Sequence, residues 1–245
     1  MKRYAFLLGN TDGLEGVKKD MIRFKSFLQS GVGGAWEQNE ICCRCNLNYD
    51  EVTSIVETIR NKCCDYVIVY FSGHGEMKRS TKLCLNASGE VLDEEEIFGL
   101  ASRQLSIYDC CRVSPGIDKT AMNFTLNESV ESYLTRRNMY RNRFDSLIEE
   151  ASEQNIRLYA CMPGRYANET NDGGLYTQHL LDVAKQQSLG SDVYVRTAHT
   201  LATNAVVRDP EAFSNGVMQY PDIAIDVEEH FPKDLVFALD RSDLL

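Results

Sequence analysis

Asp65-Tyr66-Val67-Ile68-Val69-Tyr70-Phe71 is the most strand-like run in the chain, and it passes directly into Ser72-Gly73-His74-Gly75-Glu76. A short, nearly continuous apolar run bounded by a glycine-rich polar stretch reads as a strand covered on both faces, as in a parallel sheet. Working upstream, Asp50 is expected to cap a helix carrying Val52, Ile55, Val56 and Ile59. Ile41 to Cys45 reads as a strand, and Val17, Met21, Phe24, Phe27 and Leu28 recur at helical spacing. Tyr4 to Leu8, ending at Gly9-Asn10, reads as the first strand. Downstream, Thr81 to Leu85 suggests a hairpin strand, Glu94 to Ser102 a helix and Leu105 to Tyr108 another buried strand. Arg112 to Arg143 is polar and reads as irregular. Helix is expected over Phe144 to Ser152, strand over Ile156 to Cys161, and helices over Leu175 to Gln186 and Asp192 to Val207. Pro221 to Val227 and Leu235 to Leu239 read as extended. Alternation of this kind predicts an α/β three-layer sandwich, a mostly parallel central sheet flanked by helices. One domain over 1–245, with a long loop at about 112–143, is the simplest organisation.

The chain has 245 residues, 43% hydrophobic and 25% charged, which suits a globular domain with its own core. Its net charge of −10 argues against nucleic-acid and anionic-membrane partners, which need a basic surface. Nine cysteines, an odd number with no C-x-x-C pair, do not form a disulfide framework or a zinc pattern. They fit a reducing compartment, with most thiols structural. The apolar N-terminal stretch is too short for a signal peptide, and no run approaches the ~20 residues that span a bilayer. A cytoplasmic location is expected.

In open α/β sheets, sites form beyond the carboxyl ends of the strands. Two strands here end in reactive residues: one runs into His74, the other into Asp109-Cys110-Cys111-Arg112. If the strands are parallel neighbours, His74 and Cys111 emerge on one edge. Thiol catalysis requires such a pair, the imidazole taking a proton and later returning it to the leaving amine. The Gly75 and Cys111 N–H groups are candidate oxyanion donors. Taken alone, a His after a strand is more often structural than catalytic, and a Cys ending a buried strand is more often core than nucleophile.

Tyr70-Phe71-Ser72-Gly73-His74-Gly75-Glu76 resembles the histidine motif of caspases and metacaspases. Asp109-Cys110-Cys111-Arg112 is similar both to the caspase Q-A-C-R and to the metacaspase D-x-C-x-S-G, and either alignment makes Cys111 the nucleophile. Leu14-Glu15-Gly16-Val17-Lys18-Lys19-Asp20 looks like the metacaspase L-x-G-C-x-N-D segment. Ala160 to Glu169 (ACMPGRYANE), Gly173-Gly174-Leu175-Tyr176-Thr177 and Gln219-Tyr220-Pro221-Asp222-Ile223 resemble later family segments, in the right order. His74 and Cys111 stand closer in sequence than in caspases, and Val113 displaces the small residues of D-x-C-x-S-G onto Ser114-Pro115-Gly116.

The resemblance implies a cysteine endopeptidase acting on protein substrates. It also implies a substrate pocket lined by Asp20 and Asp109, and hence cleavage after Arg or Lys. Caspases hold Asp through Arg, and Asn10 stands at the end of the first strand here. Calcium is not favoured, since only Asp118 stands near an expected position while Lys78, Arg79 and Lys82 replace acidic residues; no cofactor is expected. Arg136, Arg137, Arg141 and Arg143 are candidate sites of activating cleavage, by the enzyme itself or by an upstream protease. The alternatives are a caspase-fold scaffold without activity, a peptidase specific for Asp, and a nucleotide-binding domain. The last lacks any phosphate-binding glycine motif.

Overall fold

The computed structural model describes residues 1–113, 134–214 and 216–242. In chain order its elements begin with β1 (Arg3–Gly9), α1 (Gly16–Gln29), β2 (Ile41–Cys45), α2 (Tyr49–Lys62) and β3 (Tyr66–Ser72). Three short strands follow, β4 (Gly75–Met77), β5 (Thr81–Cys84) and β6 (Val91–Asp93), then β7 (Arg103–Asp109). After the segment that is not described come α3 (Leu134–Glu150), β8 (Gln154–Tyr159), β9 (Glu169–Thr170) and β10 (Gly173–Gly174). The chain continues with α4 (Leu175–Gln187), β11 (Val193–Tyr194), α5 (Val195–Val206), β12 (Phe213–Ser214), β13 (Val217–Met218), β14 (Asp222–Val227) and β15 (Val236–Ala238).

Six strands form the central sheet in the order β14-β8-β7-β3-β1-β2. All neighbours are parallel except β14, which pairs antiparallel with β8 at one edge. Successive residues of β3 alternate between two cores. Tyr66, Ile68 and Tyr70 join a cluster with α1, α3, α4 and α5, while Val67, Val69 and Phe71 join one built on α2 and the β4–β6 sheet. Every residue of β3 is therefore buried, and the uninterrupted apolar run is the sequence record of a strand with two covered faces. No helix among the described residues is long and apolar enough to cross a membrane. All nine cysteines are free thiols.

The structure corrects several local expectations. Helix α2 is capped by Asn48, not Asp50: the Asn48 side chain accepts from Glu51 N while Glu51 reaches back to Asn48 N. Residues 94–102 make only a short 3₁₀ turn, Glu94–Ile97: Phe98 is already extended at ψ 146°, and Gly99 follows at φ 64°. The hairpin strand expected at Thr81 to Leu85 is present as Thr81–Cys84, the middle strand of a three-stranded antiparallel sheet. Before α5, Val193–Tyr194 is extended and pairs with β15.

The largest correction concerns the basic stretch, which is helical from Leu134 and not a loop. Its charges meet partners instead of solvent. Arg137 donates to the Trp36 carbonyl at 2.6 Å, Arg141 holds both oxygens of Glu40, and Arg143 reaches Asp192 at 2.9 Å. A hydrogen-bonded helix does not offer the extended backbone that proteolytic nicking needs, so Arg137, Arg141 and Arg143 are poor cleavage sites. The Arg136 side chain and Asp118 lie outside the described residues. The Arg141–Glu40 pair is bidentate, so Arg141→Ala should cost about 1–3 kcal/mol. A double-mutant cycle with Glu40→Ala, followed by urea unfolding, should show strong non-additivity; simple additivity would mean the pair is not formed.

Candidate active site

Strands β3 and β7 run parallel with Ser72 beside Asp109 in register. His74 and Cys111 therefore each stand two residues past the last paired position, on the same edge of the sheet. The turn carrying Cys111 is held from both sides. Val113 bridges Glu76 and accepts from Met77 N at 3.0 Å, while Arg112 exchanges backbone hydrogen bonds with Gly164 (2.7 Å) and Arg165 (3.0 Å). The buried Arg112 guanidinium lies 3.8 Å over the Tyr159 ring and reaches Asp222 Oδ2 at 3.0 Å and Thr81 Oγ1 at 3.2 Å. Gly75 packs directly on this turn. A Cβ built there would lie 2.6 Å from Cys110 Sγ and 2.7 Å from Cys111 O, so only glycine lets β4 approach so closely.

His74 Nε2 is 2.7 Å from the Asp12 carbonyl oxygen. A carbonyl only accepts, so Nε2 carries a proton and Nδ1 is the ring nitrogen left to act as a base. Cys111 is partly exposed, and its Sγ accepts from Ala167 N at 3.4 Å. Burial raises the thiol above its ordinary pKa, the Ala167 N–H opposes that, and the Asp109 charge raises it further. The resting sulfur is therefore a neutral thiol at physiological pH, which needs a base to become a nucleophile. His74 and Cys111 line the same small cavity of about 60 Å³.

Asp20 and Asp109 line that cavity too, although they are only 0% and 5% exposed. Asp109 Oδ2 accepts from Thr177 N at 3.0 Å and Thr177 Oγ1 at 2.6 Å, and Thr177 Oγ1 also bonds the buried Tyr70 hydroxyl. Asp20 Oδ2 accepts from Ser72 Oγ and Gly174 N, each at 2.9 Å. Its other oxygen, Oδ1, is buried with no hydrogen-bond partner among the described residues. Burial, then the Asp109 charge, raises the Asp20 carboxyl well above the carboxylate range; the bonds from Gly174 and Ser72 oppose this. Burial raises Asp109 as well, against its Thr177 bonds. Gly173 and Gly174 leave room for these carboxylates, since a Cβ on either would overlap Asp20 Oδ1 or Asp109 Oδ2.

Of the residues singled out in the sequence, His74, Cys111, Asp20 and Asp109 thus line one cavity and Gly75 packs beside it. Arg137, Arg141 and Arg143 lie on α3, bonded elsewhere. Sequence reading missed Asp12, Ala167, Ser72, Thr177, Arg112 and Glu169. Ser72 and Thr177 stand inside motifs that were read for other members, and Glu169 ends another. Asp12 and Ala167 act here through backbone atoms, which carry no side-chain signal.

A carboxyl whose folded pKa is raised binds more protons folded than unfolded, so it lowers stability as pH rises through and above the unfolded value near 4. Asp20→Asn should therefore raise Tm at neutral pH by a few degrees, at about 2–4 °C per kcal/mol for a chain of this length. The gain should vanish as pH falls below the unfolded carboxyl pKa. Calorimetry from pH 4 to 8 tests this, and a lower Tm for the variant at pH 7 would refute it.

Comparison with known proteins agrees with this architecture. A solved structure, caspase-1 from Spodoptera frugiperda, superposes with a TM-score of 0.64 at 15% sequence identity, covering 98% of this chain and 91% of that one. No curated protein matches in sequence. A family model for the caspase domain matches residues 2–231, so the chain belongs to the caspase-domain family of cysteine peptidases.

Proposed function

We propose that the chain is a metacaspase-like endopeptidase that cleaves protein substrates after Arg or Lys, with Cys111 as nucleophile and His74 as acid–base partner. The observation that carries the specificity is Asp20 Oδ1, a buried carboxylate oxygen without a hydrogen-bond partner among the described residues, in the cavity that a second buried carboxylate and the thiol also line. Buried carboxylates without a cation are costly. A guanidinium or ammonium from the residue before the scissile bond would satisfy both, and each charge-assisted hydrogen bond is worth about 1.5–3 kcal/mol.

In the reaction, His74 takes the Cys111 proton as sulfur attacks the scissile carbonyl carbon. The carbonyl oxygen becomes an oxyanion, with Gly75 N–H and Cys111 N–H as its proposed donors. Collapse breaks the C–N bond, and the imidazolium returns its proton to the leaving amine. Water, deprotonated by His74, then attacks the thioester, releasing the acid and restoring the thiol. Asp12 holds the imidazole by its backbone carbonyl, which keeps Nδ1 as the nitrogen that moves the proton.

Fluorogenic peptides with Arg, Lys or Asp before the leaving group test the proposal. Arg and Lys peptides should be cleaved and the Asp peptide spared. Cys111→Ala or His74→Ala should lower kcat by at least about 10³-fold. Asp20→Asn should lower kcat/KM for Arg peptides by about 10–100-fold, the loss of one charge-assisted contact. Cleavage after Asp alone would sink the pocket assignment, and activity surviving Cys111→Ala would sink the nucleophile. Because Asp20 is raised, acidification should neutralise the pocket before ordinary carboxylates protonate. Benzamidine binding to Cys111→Ala, followed by calorimetry, should therefore weaken at a pH above that of an ordinary aspartate; affinity constant down to pH 4 would contradict this.

A further inference from the structure

Helix α1 delivers Asp20 to the pocket from its second turn, yet it begins without a cap of its own. Residue 15 sits in helical conformation (φ −75°, ψ −34°) and makes no side-chain capping bond, and the first turn holds no acidic residue. Lys18 and Lys19 follow instead. An uncapped helix start leaves N–H groups unsatisfied and a positive dipole end uncompensated.

The missing cap comes from far along the chain. Glu169, in β9, accepts the Gly16 N–H with its Oε1. Gly16 makes the approach possible: a Cβ there would overlap Glu169 Oε1 and come within 2.6 Å of Gly173 Cα. The β9–β10 hairpin is tied to the same helix further on. Lys19 donates to the Asn171 carbonyl, and Arg23 to the Asp172 carbonyl and, at 3.3 Å, to its Oδ1. At its other end Gly174 N bonds Asp20 Oδ2. The hairpin therefore holds α1 at its first residue through Glu169 and Asp20 at its carboxylate through Gly174. Glu169 is solvent-exposed in part; the desolvation it does undergo raises its carboxyl, the Gly16 N–H opposes this, and the Asp109 and Glu15 charges add to it.

We propose that Glu169 is a positioning residue for substrate binding: as the cap of α1 supplied by a distant hairpin, it sets where Asp20 meets the cation of the residue before the scissile bond. The inference rests on the Arg/Lys reading. Glu169 also lines the cavity, and the role assigned to it is exerted through Gly16 and α1, which the contrast between Glu169→Gln and Glu169→Asp separates from a direct charge contact with the substrate.

Kinetics of Glu169→Ala, Glu169→Gln and Glu169→Asp on an Arg peptide test it, with circular dichroism to show that each variant is folded. Glu169→Ala should raise KM about tenfold, the size of a lost cap, with kcat within about threefold. Glu169→Gln keeps an oxygen that accepts from Gly16 N–H and should stay within about threefold of the wild-type KM. Glu169→Asp keeps the charge but falls one methylene short, and should behave like Ala. If Gln is as damaging as Ala while Asp is tolerated, the carboxylate acts by its charge and the positioning role is overturned. An unchanged KM in all three overturns it too, and should the Ala variant not fold, the Gln–Asp contrast decides alone. A wild-type enzyme that leaves Arg and Lys peptides intact refutes the underlying specificity reading, and it shows this before any Glu169 variant is compared.

Discussion

The site depends on one backbone constraint, the parallel register that sets Ser72 of β3 beside Asp109 of β7. From that pair each strand goes on two residues to a functional side chain, one to His74 and the other to Cys111. Because side chains alternate along a strand, a slip of one residue would turn every β7 side chain to the other face. That cannot happen cheaply here, since both faces of β3 and β7 are packed. Leu105 and Ile107 belong to the core under α1 and α4, and Tyr108 to the core on the opposite face. Burial on two sides thus fixes the relative position of the two reactive groups more firmly than any contact between them. Past the strand ends, the Val113–Met77 bond and the Arg112 clamp extend that order to the nucleophile itself.

The carboxylate pair shows the opposite balance. Asp20 and Asp109 are buried against one another, and both are pushed toward the protonated form. Thr177, Ser72 and Gly174 offset part of that cost by donating to one oxygen of each. Those donors also fix where the remaining oxygens point. On the Arg/Lys reading such a pocket is unfavourable when empty and organised in advance for a cation, the pattern expected where stability is given up for function.

The fold was legible from the sequence wherever burial acts on a whole element. The run from Tyr66 to Phe71 and the spacing of Val17, Met21, Phe24 and Leu28 each follow from packing, and the structure places them as read. What escaped was set by individual partners. Helix α3 carries an apolar stripe of Tyr140, Phe144, Leu147 and Ile148 on the core, but Arg137, Arg141 and Arg143 interrupt the pattern at its start; they satisfy carbonyls and carboxylates on the α1–β2 connection and beyond, and a string of arginines in sequence looks like exposed loop. The cap of α2 fell on Asn48 because a Glu three residues later completes a reciprocal pair, which Asp50 cannot do. In the site, His74 and Cys111 could be named because two strand ends carry an imidazole and a thiol inside motifs that resemble the family's, and Asp20 and Asp109 only because that resemblance maps pocket carboxylates onto them. Asp12 and Ala167 contribute a carbonyl and an amide that any residue would supply, so nothing in their identity marks them. Glu169 was hidden for another reason, since its partner Gly16 is remote in sequence and only the hairpin brings them together.

The two halves of the site are electrically linked. Asp109 stands two residues before Cys111, and its charge is among the causes that keep the thiol protonated at rest. On the Arg/Lys reading, a guanidinium entering the pocket satisfies Asp20 and Asp109 and offsets the effect of the Asp109 charge on the sulfur. The thiolate then forms more readily in the complex than in the free enzyme, because one of the two effects raising its pKa has been removed and the other, burial, is shared with the bound substrate. Selection of a basic residue and activation of the nucleophile would then be a single electrostatic event. A substrate with a neutral or acidic side chain would lose on both counts: it leaves the buried carboxylates uncompensated and the sulfur protonated. Specificity of this kind falls on kcat as well as on KM, since the interaction it depends on strengthens as negative charge develops at sulfur.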